Sequence, residues 1–334
     1  TALCALGVAE GDEVITTPMT DIGTVAAILA LHAVPVFADI DLDTRLIDPA
    51  SVRARIGPRT KVVIAVHMSG LPCDMKEFAR VAADTGVTIL EDCAQGHGGR
   101  YHGKLLGGLG KAAGFSMNES KQMTTGDGGF VTTDDDEVAR IASLFRDKTY
   151  LRDGSVGRGG QPIPFFALNY RANGLHAAVG LAQLGKLDAL VHRRDDIARR
   201  YYAELEDLKD FTLPTLVDGA EPSWWPVAGR YTGADGRRDE LVEALRAEGL
   251  SISTGMSPAS NILRTELVRT KRYYPLSDEV PAFWRDIEYD PDSCPHVDEL
   301  QRTVIRLPVD ERYTDEDIDQ TIAGAVKVWS HLVG

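Results

Sequence analysis

The chain reads as an α/β protein: a mostly parallel sheet covered by helices, with a smaller C-terminal α+β domain. Three observations predict this. Short apolar runs of strand length alternate with helix-length runs from Asp12 to about Phe145. The strand-like runs are near-continuous in Val, Ile and Ala, as expected of strands buried on both faces. Finally, 334 residues suffice for two domains and a sizeable core. The division expected is a large domain over residues 1–190 and a linking helix with a small domain over 191–334.

In order, TALCALG at the start reads as the end of a helix entered midway, so the beginning of the large domain is expected to precede Thr1. DEVITTP and VPVFADID read as strands around a helix over 22–32. A helix over 49–55, the strand KVVIAVHM, and a helix from Asp74 to about Thr85 with Asp74 as its cap come next. The strand VTILED ends in two carboxylates, and AAGFSM and GGFVTT flank a polar loop, before an acid-started helix over 134–145. Residues 146–161, RDKTYLRDGSVGRGGQ, are polar and glycine-rich and read as a mobile loop. Over 175–208 leucines recur at helical spacing (Leu181, Leu184, Leu187, Leu190), which predicts one long helix bridging two domains, weakened by Gly180 and Gly185. Beyond it come a helix near 238–248, a poorly patterned stretch over 253–294, a strand over 304–307 and a last helix from Asp315 capped by Thr314.

A formal charge of −14 argues against a surface that collects nucleic acid. No secretory leader opens the sequence and no apolar run reaches membrane-spanning length, so neither a membrane nor an export route is expected and the protein is placed in the cytoplasm. Cys4, Cys73, Cys93 and Cys294 show no CxxC spacing, so no metal site is expected and the thiols read as reduced and mostly buried.

Two stretches carry chemistry. In FSMNESKQMTTGDGGF, Lys121 stands among hydroxyls and glycines just past a buried strand, where an amine can form an imine with a carbonyl cofactor; the plainer reading is a lysine in a tight polar turn. In VTILEDCAQGHG a buried strand ends at Asp92, with Gln95 three residues on. Pyridoxal phosphate needs an acid beside its pyridine nitrogen, because a protonated ring drains electrons from the substrate carbon. Asp92 and Lys121 on successive strands supply both parts; alternatively Asp92 is an N-cap for the residues after it.

Together these stretches resemble the DegT/DnrJ/EryC1/StrS family, the sugar and cyclitol aminotransferases of the pyridoxal phosphate fold-type I group. GDEVI with PMT, PVF with Asp39 and Asp41, Val66-His67 with Gly70, and Asn169-Tyr170-Arg171 follow in the family's order. The resemblance implies pyridoxal 5'-phosphate bound through Lys121, with Asp92 at the ring nitrogen, Gln95 at the ring oxygen and Ser116 at the phosphate. It implies that Asn169 and Arg171 reach the cofactor phosphate of a neighbouring subunit in a homodimer; the simpler alternative is that both cap the next helix. Lys121 would also be the base that moves the proton.

The sequence departs from the family in places. Asp21 stands where relatives place a ring-stacking aromatic, which leaves Met19 or Ile22 to cover the ring, or Asp21 to point at substrate. Asn173-Gly174-Leu175-His176 replaces a Thr-Glu-Leu-Gln run, and no proline precedes Ser120, a weaker phosphate candidate. His67 reads equally as a core histidine or a substrate contact, and His97 and His102 as structural. Arg264, Arg269, Lys271 and Arg272 with Tyr273 and Tyr274 form a basic cluster that is either a solvated face or a holder for a nucleotide diphosphate. The expected function is transfer of an amino group from glutamate or glutamine to a keto-sugar or cyclitol. A sugar dehydratase is a second reading, disfavoured because those relatives replace the lysine with histidine, and a non-catalytic partner is a third.

Overall fold

A computed structural model describes residues 1–152, 154, 160–234, 236–256 and 261–334. In chain order its first strands are β1 (Glu13–Thr16), β2 (Val34–Phe37), β3 (Thr60–Val66), β4 (Thr88–Asp92), β5 (Arg100–Tyr101) and β6 (Lys104–Leu105). They continue with β7 (Ala112–Ser116), β8 (Gly129–Thr132), β9 (Phe211–Thr212), β10 (Ala220–Glu221), β11 (Pro226–Tyr231) and β12 (Val304–Pro308).

The main sheet has the order β2-β1-β3-β4-β7-β8. All neighbours in it are parallel except β7 and β8, whose antiparallel pairing follows from the loop that joins them directly. Val14, Ile15, Val62, Val63, Ala65 and Ala113 are fully or almost fully buried, which is why the strands read as unbroken apolar runs. A second sheet, β12-β11-β9, is antiparallel throughout and packs with the helices Arg237–Ala247 and Asp315–Leu332 in the C-terminal part. A small sheet of β10, β5 and β6 completes the topology.

Helix starts explain part of the acidic composition. Asp21, Asp48, Asp74, Asp135 and Thr314 each accept a first-turn amide, worth about 1 kcal/mol apiece. Thr314 forms a full capping box with Asp317.

The single long helix expected over 175–208 is instead two, Gly174–Leu184 and Leu187–Leu205. Gly185 ends the first, and the Lys186 amide turns back to the Gln183 carbonyl; a glycine there costs the helix about 1 kcal/mol against alanine. The first helix buries none of its residues: Leu181 and Leu184 are 73% and 56% exposed. Of the glycine-rich segment 146–161, residues 153 and 155–159 lie outside the described residues, as do 257–260 of the poorly patterned stretch. The described part of 253–294 holds only short helices, Glu266–Thr270 and Ala282–Arg285. No helix among the described residues is long and apolar enough to cross a membrane.

Candidate active site

The chemistry-bearing residues collect where β1, β3, β4 and β7 end, at the carboxyl edge of the parallel sheet where open α/β folds bind ligands. β4 sits between β3 and β7 with Asp92 opposite Val66 on one side and Gly114 on the other. Asp92 is therefore the last residue of a central strand, held on both sides.

Its carboxylate is lightly used. One oxygen accepts from the Thr24 hydroxyl at 2.8 Å and the other from the Ala94 amide at 3.1 Å. Thr24 is in turn 2.8 Å from the Thr20 hydroxyl; since the Thr24 proton goes to Asp92, Thr20 must donate to Thr24. The Ala94 bond is the capping role weighed from sequence, and it leaves lone pairs on both Asp92 oxygens.

Lys121 lies in the loop between β7 and β8. That loop closes through Met117 N to Gly128 O (2.9 Å) and Thr125 N to Met117 O (3.0 Å). Gly128 has φ of +119°, and a Cβ on Gly129 would stand 2.4 Å from the Phe115 carbonyl oxygen, so the turn needs glycine at both places. The Lys121 amine donates no hydrogen bond among the described residues and sits 4.4 Å from the centre of the Trp225 ring. Burial lowers its pKa, and the Asp92 and Asp21 carboxylates oppose that only in part, so the amine sheds its proton more readily than an ordinary lysine.

Trp225 reaches this point through a chain of backbone bonds. Its amide donates to Ser69 O (2.8 Å) and Ser223 N donates to Gly70 O (3.1 Å), while the Trp225 indole N–H donates to Ser120 O (3.0 Å). Gly70 has φ of +78° and a Cβ there would lie 2.8 Å from Trp224 N, so only glycine lets the two segments meet. Gln95 belongs to the same junction: its Oε1 accepts from Ser69 N at 2.7 Å, which leaves its amide protons free among the described residues. The Gln95 carbonyl accepts from Gln122 Nε2 at 2.7 Å.

Ser116 ends β7, and its oxygen accepts from Asn118 N at 3.3 Å, leaving its own proton available. Asn169 and Arg171 are exposed and stand apart from the strand ends in their local contacts: Asn169 bridges to Asp147 by backbone, and the Arg171 guanidinium pairs with the Asp147 carboxylate. The helix that follows is capped by Asn173, so the alternative that Asn169 and Arg171 cap it does not hold. Hydrogen bonds from Arg152 first, and then Arg171, keep the Asp147 carboxyl below its usual range.

The structure decides several alternatives left open by the sequence and corrects one. Asp21 is the N-cap of the helix Ile22–Leu29, its Oδ1 accepting from Gly23 N at 2.8 Å; Met19 is wholly buried and cannot cover a ring in the site. His67 is a satisfied core histidine: Nδ1 accepts from Cys73 N (3.0 Å), so Nε2 carries the proton and donates to Glu91 (3.1 Å). His67, Glu91 and Cys93 lie close enough to hold a metal ion, but both His67 nitrogens are engaged and burial pushes the Cys93 thiol far up. His97 is buried beside Phe115 and Phe130, and burial lowers its pKa to about 4, so it stays neutral. The basic cluster is dispersed: Arg264 pairs with Asp292 and Asp298, while Lys271 and Arg272 donate to the carbonyls of Arg285 and Pro275.

Sequence reasoning missed three residues. Thr24 positions Asp92, Trp225 lies against Lys121, and Arg306 has its guanidinium 5.6 Å from the same indole. Only Thr24 left a signal, a hydroxyl one turn into a helix that starts beside the PMT run.

The site can be tested against pyridoxal phosphate by its donor set. It offers an unbonded amine of lowered pKa, a carboxylate with free lone pairs within electrostatic reach of that amine, a glutamine with free amide protons and a serine with a free hydroxyl proton. These fit the group.

Comparison with known proteins agrees. The DegT/DnrJ/EryC1/StrS aminotransferase family model matches residues 1–326. The spore coat polysaccharide biosynthesis protein SpsC of Bacillus subtilis (strain 168) is 32% identical over 328 residues, 96% of this chain and 80% of that protein. The putative L-glutamine:3-amino-2,3-dideoxy-scyllo-inosose aminotransferase of Streptomyces kanamyceticus is 38% identical over 259 residues, 75% of this chain and 60% of that protein. The structure of DesV from S. venezuelae is 30% identical with a TM-score of 0.84, covering 99% of this chain and 83% of that one. Fold and site define a pyridoxal phosphate-dependent aminotransferase of fold-type I. The chain belongs to the DegT/DnrJ/EryC1/StrS aminotransferase family.

Proposed function

We propose that the enzyme transfers an amino group from glutamate or glutamine to a ketone on a sugar, in nucleotide-linked form, or on a cyclitol, in amino-sugar or antibiotic-type biosynthesis. Similar proteins named for such substrates support this: the inosose aminotransferase above, and a GDP-perosamine synthase of Caulobacter vibrioides 34% identical over 256 residues. The observation that carries the assignment of roles is the unbonded Lys121 amine on the Trp225 ring, with Asp92 within electrostatic reach.

When bound, pyridoxal phosphate supplies the electron sink that lets nitrogen move between carbons. Lys121 holds the cofactor through its amine and, once released, moves a proton to and from the substrate carbon, a task its lowered pKa suits. Asp92 keeps the ring nitrogen protonated by its charge. Gln95 donates its free amide proton toward the ring oxygen, and Ser116 its hydroxyl proton toward the phosphate.

Asn169 and Arg171 are assigned to the cofactor phosphate of the second subunit of a homodimer. The helix Gly174–Leu184, which follows them directly, supports this: it has no buried residue although Leu175 and Leu181 are 79% and 73% exposed, and Phe166 just before it is 81% exposed. Exposed apolar side chains in this number call for a partner, and a second copy presenting the same helix covers them. A cytoplasmic location and two folding units divided near residue 190 complete the proposal.

The test has two arms. Holoenzyme is mixed with glutamate or glutamine while its visible absorbance is followed, and keto-sugars and inososes are then screened for recovery of the band and for the amine product. Separately, inactive Lys121→Ala and Arg171→Ala chains are mixed under exchange conditions; a shared site returns part of the activity, because one site of the mixed dimer carries neither defect. No recovery with exchange demonstrated returns Asn169 and Arg171 to a role within their own subunit.

A further inference from the structure

The connection from β7 to β8 that carries Lys121 is mostly bonded to itself. Lys121 N donates to Asn118 O, Thr125 N and the Thr124 hydroxyl to Met117 O, and the Thr125 hydroxyl to Asp127 O. Beyond the ends of β7 and β8, residues 117–128 hydrogen-bond the rest of the chain, among the described residues, only through Ser120 and Gln122. These are the two chain neighbours of the lysine. On one side the Ser120 carbonyl accepts from the Trp225 indole N–H at 3.0 Å. On the other, Gln122 Nε2 donates to the Gln95 carbonyl at 2.7 Å and lies 3.4 Å from the Ser223 hydroxyl, and the same side chain meets the buried His97 ring.

Gln122 is only 3% exposed, in a connection whose tip is otherwise polar and open. An amide placed there needs its hydrogen bond, because a buried donor without an acceptor is costly. The acceptor it finds is itself fixed. The Gln95 carbonyl also takes the Ser223 hydroxyl proton at 3.3 Å, and a Cβ on Gly70 would stand 2.9 Å from it. Gln122 therefore sets how far the Lys121 backbone stands from the backbone of Gln95. That separation matters to the chemistry. The aldehyde carbon that Lys121 engages and the ring oxygen that Gln95 serves are substituents on adjacent ring atoms of pyridoxal phosphate, so amine and amide must be in register. No hydrogen bond joins the two side chains among the described residues, and the register is left to the backbone.

We propose that Gln122 is a positioning residue: its bond to the Gln95 carbonyl holds the Lys121 amine in register with the Gln95 amide. The inference rests on the roles proposed for Lys121 and Gln95. Ser223 supplies the contrast. It donates to the same carbonyl but belongs to the segment of Trp225, so its loss leaves the link between Lys121 and Gln95 in place. Loss of the Gln122 donor frees one flank of the lysine and leaves it held by Ser120 alone. Small misplacements of a reacting group are expensive in rate, whereas substrate affinity is set elsewhere.

The test compares the full chain with Gln122→Met, which keeps the volume and removes the donor, and with Ser223→Ala. Protein freed of cofactor is labelled with an amine-reactive reagent over a pH series, and modification of Lys121 is read by mass spectrometry. Burial holds the Lys121 pKa down, so a lysine released toward water should label with its midpoint at higher pH in the Met variant. Ser223→Ala should keep the native midpoint. In holoenzyme, the Met variant should lose its visible band to glutamate or glutamine about tenfold more slowly at saturation, with the half-saturating concentration within about twofold of native. A Met variant with the native labelling midpoint and the native rate overturns the inference, even if denaturant unfolds it earlier, since Gln122 is then a strut and nothing more. An equal shift in Ser223→Ala overturns it too, because any donor to the Gln95 carbonyl would then serve. If the Met variant fails to fold, as judged by circular dichroism, Gln122→Asn takes its place: the same amide one methylene too short, with the same expected shifts, and native values there overturn the inference equally. A native protein that binds no pyridoxal phosphate refutes the proposed function instead, and the labelling midpoint then still decides Gln122.

Discussion

At the end of β4 the chain sets two carboxylates in succession on opposite faces of the sheet, and the two are treated differently. Glu91 is wholly buried and accepts from four donors: His67 Nε2 and the amides of Gly107, Leu109 and Gly110 at 2.7–3.1 Å. Asp92 accepts from one hydroxyl and one amide and is only half-buried. Burial alone pushes the Glu91 carboxyl upward, but the hydrogen bond and charge of His67 with the glycine amides outweigh it and hold the group below its usual range. A saturated carboxylate ties the β6–β7 connection to the sheet and has nothing left for a ligand. The unsaturated one keeps lone pairs in reserve, and the difference between structure and chemistry here is a count of unused acceptors.

Substitutions that exchange the two roles break the comparison most sharply. Lys121→Ala, on the Asp92 side, should abolish turnover while leaving the fold intact, since the lysine amine makes no hydrogen bond among the described residues and only packs on the Trp225 ring. Borohydride treatment should then fix no cofactor to the chain; fixation on another lysine removes Lys121 from its role. Asp92→Asn should retain cofactor and stability but lose activity by about a hundredfold or more, because an amide cannot offset a protonated ring nitrogen. Turnover near the native rate in that variant would take Asp92 out of the chemistry.

Glu91→Gln should do the reverse. Replacing the acid by an amide turns one acceptor oxygen into a donor facing donors, at a cost of about 3 kcal/mol in denaturant unfolding for the bonds to charge that are lost. The pH dependence separates the variants further. Because the folded-state pKa of Glu91 is depressed, its contribution is complete above the ordinary carboxylate value and is lost as pH falls through that value toward the lower folded one. The native protein should lose stability across that acid window, and the Gln variant should lose less.

The two sides of this comparison were not equally legible in the sequence. Asp92 and Lys121 could be found because each sits at the end of a local strand signal, and Asp74 and Thr314 because a cap is written within one turn of its helix. Glu91 could not be separated from Asp92 by pattern, since alternation says that they face opposite ways but not which face is lined with amides. Trp225 and Arg306 carry no local signature: Trp225 reaches Lys121 through the turn at Ser69 and Gly70, and Arg306 reaches Trp225 through the antiparallel pairing of β11 with β12. Asp21 stands where relatives place an aromatic, but its place just before a helix already marks it as a cap. The leucines of 181–190 showed an apolar face, and periodicity cannot say whether the chain itself or another copy covers it.

Thr24 sharpens the comparison at its weakest point, where Asp92 owes its orientation to a single side chain. Thr20 donates to Thr24 and Thr24 to Asp92, so the hydroxyls pass one proton direction toward the carboxylate and fix which oxygen stays free. Thr24→Val keeps the shape and removes the last donor. One hydrogen bond to a half-exposed carboxylate is worth about 1 kcal/mol, so activity should fall about fivefold, with unfolding in denaturant unchanged within error. Thr24→Ser should restore most of the rate, because the donor returns without the methyl. Combined with Asp92→Asn, the Val change should add almost nothing, since its effect acts through the charge that is already gone. Additive losses in the double variant would mean that Thr24 acts on the cofactor or substrate directly, and that the light ligation of Asp92 is not what the hydroxyl pair maintains.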